Sequence, residues 1–131
     1  MALQFSTTDR TAFAAQLVTA AAAGALKFFS GSEPANCAAA DPSGLLASGT
    51  LPSPALVASA GVASMTGTWS ATGSGSGNAA SFRLYDSTAV CRIQGSVSAS
   101  GGGGDMIMDN VNIAPAQVIT VAAFAITMGN A

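Results

Sequence analysis

The chain has 131 residues, more than half of them Ala, Gly, Ser or Thr, with four basic and six acidic side chains, net charge −2 and no histidine. Without histidine there is no imidazole base, no His-ligated metal, and no Ser-His-Asp or Cys-His nucleophile system. The four scattered cations (Arg10, Lys27, Arg83, Arg92) offer no footprint for a phosphate backbone, so nucleic acid is not expected as a partner.

A single domain of this size buries about 70 % of its unfolded surface. Ala and Gly contribute little transfer free energy when buried, so stability is expected to lean on neighbouring subunits. Residues 12–25 are apolar, but Asp9 beside Arg10 removes the positive leader a signal peptide needs, Met1 is retained, and Gln16 and Thr19 interrupt the run. The run from residue 110 to 131 is broken by Asn112, Pro115 and Gln117, so no membrane span is expected and the chain reads as soluble and unprocessed.

Residues 1–7 read as an N-terminal arm in which Leu3 and Phe5 alternate, suited to β-augmentation of a neighbour. Residues 8–24 predict a helix. Phe13, Leu17, Ala20, Ala21 and Gly24 recur at three- and four-residue steps and define a core-facing stripe. Ser6, Thr7 or Thr8 serves as its cap, Asp9 complements the dipole, and Gly24 is the C-terminal stop.

Residues 25–131 read as strands and turns. Residues 26–30 form a short apolar strand with Lys27 outward, opposite Phe28, and a loop follows over residues 31–44. A strand over 45–51 stops at Pro52 and Pro54. Residues 62–72 alternate most clearly: Ala63, Met65, Gly67, Trp69 and Ala71 face one way. Ser64, Thr66, Thr68, Ser70 and Thr72 face the other, as a hydroxyl surface for solvent or a partner.

Residues 73–77 read as a flexible hairpin tip. Strands over 80–85 and 89–98 are joined through Asp86, Ser87 and Thr88, with Ala89, Cys91, Ile93, Gly95 and Val97 on the inner face of the second. A Gly turn over 101–104 precedes a segment over 105–113 and a final strand over 117–128. That strand is apolar on both faces and belongs in the middle of a sheet or under a subunit interface. The punctuation argues a mainly β fold, a β-sandwich or jelly-roll-like domain with one N-terminal α-helix.

No catalytic, cofactor or metal site emerges. The Gly73 to Gly77 run lacks the Lys and the following helix of a phosphate loop. Asp105 and Asp109, four residues apart on a strand, stand about 13 Å from one another, beyond the roughly 5–9.5 Å of paired-carboxylate chemistry; they read as edge charges that discourage aggregation. Trp69 reads as a core anchor whose indole N–H finds a carbonyl. Arg83 and Tyr85 share the outer face of their strand, as a solvated pair or, alternatively, an interface pair. Cys37 and Cys91 are too few for a disulfide framework and read as buried, unreactive thiols, with a single bridge between them as the alternative.

The segments LKFFSG and LLASGTL, the FRLYDS strand and turn, the IQGSV strand, the DMIMDN segment and the closing FAITMGN resemble small virion proteins of tailed bacteriophages. These are fold markers and not catalytic ones. The resemblance implies a non-enzymatic capsid decoration (cement) protein on the outside of the assembled head, bridging capsomers. Its implied partners are the major capsid protein and copies of itself, as a trimer or dimer, with no nucleic acid and no membrane. It also implies assembly in the host cytoplasm, where thiols stay free. Small-residue faces and the final strand would pack on like subunits, and the candidate interface residues are Leu3, Phe5, Arg83, Tyr85, Val118 and Val121. A tail, neck or fibre-associated component is the alternative. A surface- or carbohydrate-binding β-module is a further one, and requires Trp69 and Tyr85 exposed on one face.

Overall fold

The structure, a computed structural model, describes residues 3–129; Met1 and Ala2 of the arm and Asn130 and Ala131 of the closing marker lie outside it. Helix α1 spans Thr7–Ala21 and starts where a hydroxyl meets an acid three residues on. The Asp9 N–H donates to Ser6 Oγ at 3.0 Å and the Ser6 hydroxyl donates to Asp9 Oδ2 at 2.7 Å, so Ser6 is the cap among the three candidates. The buried stripe differs from expectation. Ala14, Ala20 and Ala21 are buried with Leu17 and Val18 beside them, whereas Phe13 is 46 % exposed. The inward face is one residue round the helix, because it meets backbone: Thr11 Oγ1 accepts from Gly61 N at 2.9 Å, a close approach a Phe would block. Phe13 instead holds the Phe5 ring edge-on at 5.4 Å. The left-handed residue after the helix is Ala23 (φ 54°), not Gly24. Gly24 is required for another reason: any Cβ there would collide with the Tyr85 carbonyl.

Among the described residues eleven strands follow: β1 (Ala25–Phe29), β2 (Leu45–Thr50), β3 (Leu56–Ser59), β4 (Val62–Met65), β5 (Ser70–Gly73), β6 (Gly77–Asn78), β7 (Ser81–Tyr85), β8 (Cys91–Ala99), β9 (Met106–Met108), β10 (Asn112–Ile113) and β11 (Val118–Thr127). A mainly β fold with one N-terminal helix is what the sequence predicts. The strands do not divide into two facing sheets, however: β11, β5, β2, β1, β7, β8 and β9 pair in turn, and β9 returns to β11 to close a seven-stranded barrel. Closure depends on the length of β11. β5 and then β4 run along one of its edges, paired at residues 118–120 and 125–127, while β9 takes the other edge at residues 121–124. The final strand therefore sits in the middle of the sheet. Every pairing is antiparallel except β8 with β9; β3 extends the wall beyond β4, and β6 pairs with β10 separately.

The single strand expected over residues 62–72 is β4 and β5 in sequence, interrupted where Thr66 N bonds the Ala55 carbonyl. At that break Trp69 turns wholly inward, its Nε1 donating to Ala55 O at 3.1 Å, as a core anchor should. Phe124 lies 5.5 Å from the Trp69 ring and 5.4 Å from Phe82, so aromatic contacts from β7, β11 and the break before β5 fill the barrel with Phe28, Leu26, Leu84, Met106, Met108 and Ile119. Residues 74–76 are not a projecting tip: Ser74 and Gly75 donate to Leu46 O.

Candidate functional site

The outer faces of the barrel walls carry the side chains available to a partner. On β1, β7 and β8, Lys27, Arg83 and Gln94 stand side by side, with Tyr85 and Cys91 in the neighbouring row. Cys91 belongs there through a bulge: Leu84 pairs with Ile93 but Tyr85 pairs with Cys91, so Arg92 is skipped and Cys91 leaves the inner face expected for it. Its neighbour is Cys37 of the loop over residues 30–44, and the two form a disulfide with Cα atoms 5.4 Å apart. The reading as free thiols is thereby corrected, since spacing along the chain says nothing of the loop that folds back.

That loop covers the wall. Arg83 Nη1 donates to Ala39 O and Asp41 Oδ1, both at 3.0 Å, and Nη2 to Asn36 O at 3.2 Å and Gln94 Oε1 at 3.0 Å. Gln94 Nε2 donates to Pro34 O, Ser81 Oγ to Gly31 O, and the Tyr85 hydroxyl to Asp41 Oδ1. Arg83 is left 2 % exposed and Tyr85 6 %, which overturns the expectation of a solvated or exposed pair. Lys27 reaches over the Tyr85 ring at 4.9 Å. Burial, and then the Asp41 carboxylate, push the Tyr85 phenol well above its ordinary value. At the foot of this wall the hairpin turn forms as expected: Thr88 N, Thr88 Oγ1 and Val90 N donate to Asp86 Oδ1. The Thr88 hydroxyl foremost holds that carboxyl below its usual range.

Among the described residues, nothing covers the wall of β2, β5 and β11. Ser48, Thr72 and Val118 form one cross-strand row, all exposed, with Ser70 in the row beyond. Val118 is 65 % exposed, and Ala122, Ala123 and Ala125 continue the exposed surface along β11. The hydroxyl face read from the sequence is present here at Ser70 and Thr72. Val121 has the opposite parity; it lies inside with Ile119 at 4 % exposure and is corrected from interface to core. Leu3 (73 %) and Phe5 (38 %) project beside α1. The six candidate interface residues thus occupy four separate places.

Asp105 and Asp109 are not brought together as a pair. Asp105 Oδ2 accepts from Ser96 N and Oγ on β8, whereas Asp109 Oδ1 accepts from Thr120 N on β11. Among the described residues no three metal-ligating side chains cluster. With Trp69 and Tyr85 both buried, the aromatic platform needed by a carbohydrate-binding module is not on the surface. The sequence reading missed a cleft of about 350 Å³ between β8 and β11, lined by Phe82, Ile93, Gln94, Asp105, Phe124 and Ile126; only strand pairing reveals it. Comparison with protein-family models, with curated proteins and with solved structures finds no match.

Proposed function

We propose that the protein is a non-enzymatic virion component of a tailed bacteriophage, a capsid decoration (cement) protein that binds the outside of the assembled head. Its partners in this reading are the major capsid protein and further copies of itself, with no role for nucleic acid or membrane. One observation carries it beyond the sequence resemblance. The wall of β2, β5 and β11 is an uncharged surface of small side chains, Ser48, Ser70, Thr72 and Ala123 with Val118, left uncovered on a barrel whose backbone is held by pairing on both sides. Such a plate lets another protein's backbone approach closely and loses little side-chain entropy on contact. Surface bridging of this kind stabilises both partners by mass action. The Cys37–Cys91 bridge departs from the free thiols expected of assembly in the cytoplasm; in this reading it closes once the particle meets oxidising surroundings, where disulfides persist.

The test is the copy number of the chain in purified virions relative to the major capsid protein, by quantitative mass spectrometry. A ratio near one, or a simple fraction set by shell symmetry, is expected. A handful of copies per particle would move the protein to the tail, neck or fibre, and absence from virions would end the virion reading altogether.

A further inference from the structure

The barrel closes on one short strand. β9 bridges β8 and β11 only at Val97–Ala99 on one side and at residues 121–124 on the other. Beyond it β8 and β11 diverge with no strand between them among the described residues, and the cleft described above occupies that seam. Its two walls are strands: Ile93 and Gln94 on β8, Phe124 to Thr127 on β11, with Phe82 and Phe124 as the apolar floor. Asp105 closes the inner end, and its Oδ2 already accepts two hydrogen bonds from Ser96, one from the first β8 N–H past β9. Two diverging strand edges above an apolar floor are what an extended segment recognises. Asp105 is held by Ser96 and, among the described residues, belongs to no cluster of three metal-ligating side chains.

The geometry points to the arm around Leu3 to Phe5 of a second copy of this chain as the strand that completes the seam. The arm is uncharged from residue 3 to residue 5, it alternates Leu3 and Phe5 about Gln4, and Leu3 is the most exposed large apolar side chain of the described residues. Its starting point fits as well. Arg10 Nη1 lies 3.4 Å from the Met128 carbonyl, which fixes the first turns of α1 at the rim where β11 leaves the seam. Within one copy the arm is engaged elsewhere, Phe5 lying edge-on against Phe13. When two such rims face across a two-fold axis, each arm crosses into the other's seam, and the three residues Leu3 to Phe5 in extended form span roughly 10 Å. The acceptor, the seam, is thereby assigned to the β-augmenting arm that the sequence suggests. The inference stands on the barrel alone and holds whether or not the virion assignment does.

The purified full-length chain suffices for the test. A chain carrying Leu3→Cys is mixed with a separately tagged chain carrying Thr127→Cys under mild oxidation. A covalent dimer containing one of each is expected, and sedimentation velocity on the wild type is expected to show association that Leu3→Asp with Phe5→Asp weakens at least tenfold. Both arm positions are exposed, so unchanged Trp69 fluorescence will show that those variants fold. A wild type that is monomeric throughout, association indifferent to the arm variants, or no covalent dimer containing one of each chain would each overturn the proposal.

Discussion

Val118, Thr72, Ser48, Lys27, Arg83 and Gln94 lie side by side round the barrel as one cross-strand row, yet its two halves end in opposite environments. The first three are exposed, whereas Arg83 is almost wholly buried. Chemistry at the strand does not explain the difference, since two cations and an amide occupy the covered half and uncharged small or apolar side chains the open half. The loop over residues 30–44 explains it: it crosses only the wall of β1, β7 and β8, held there by a disulfide and by hydrogen bonds to the guanidinium and to the Gln94 amide. Arg83 is thus a fastener for a loop with few large apolar groups of its own, and the open wall is what the barrel presents where no fastener exists.

Four perturbations test that contrast, from the largest effect down. Cys37 and Cys91 lie 54 residues apart in sequence, so Cys91→Ser should lower stability by about 4 kcal/mol through released chain entropy, read by urea denaturation. A loss below about 1 kcal/mol would mean that the polar contacts alone hold the loop. Arg83→Met should cost about 2–4 kcal/mol, because two loop carbonyls lose their donor and Asp41 is left with the Tyr85 hydroxyl alone; an unchanged midpoint would show that the guanidinium fastens nothing.

Tyr85 is the one tyrosine of the chain, so its ionisation can be followed by absorbance. The folded-state value is raised above the unfolded one. Its contribution is therefore complete below the ordinary phenol value of about 10 and is lost as pH climbs from there through the raised folded value. The folded chain should stay unionised at a pH where the chain in guanidinium shows phenolate, and a native titration at the ordinary value would mean that the wall is open. The smallest effect on stability belongs to Thr72→Asp on the uncovered wall, within about 0.5 kcal/mol by denaturation. The same substitution should release the protein from virions more readily, and intact attachment would show that this wall is not the docking surface.

Much of this molecule is determined locally, and those parts were legible. Ser6 and Asp9 mark the helix start because a cap needs only its own neighbours. Asp86 to Thr88 make the hairpin turn for the same reason, and period-two alternation places Trp69 inside and Thr72 outside. Alternation assigns a face but not what lies against it. That Arg83 and Tyr85 are buried depends on Asp41, more than forty residues earlier, arriving above them. That Cys91 meets Cys37 depends on one bulge that turns a side chain from core to surface. Barrel closure is likewise a property of β11 having partners on both edges, and the seam exists because β9 is shorter than the gap it bridges. By itself, then, the sequence determined the helix start, the hairpin turn, a mainly β chain and the faces of Trp69 and Thr72, through interactions within a few residues. Which faces were covered, which cysteines met and where the wall was left incomplete were decided only in the tertiary structure, because each depends on segments far apart in the chain.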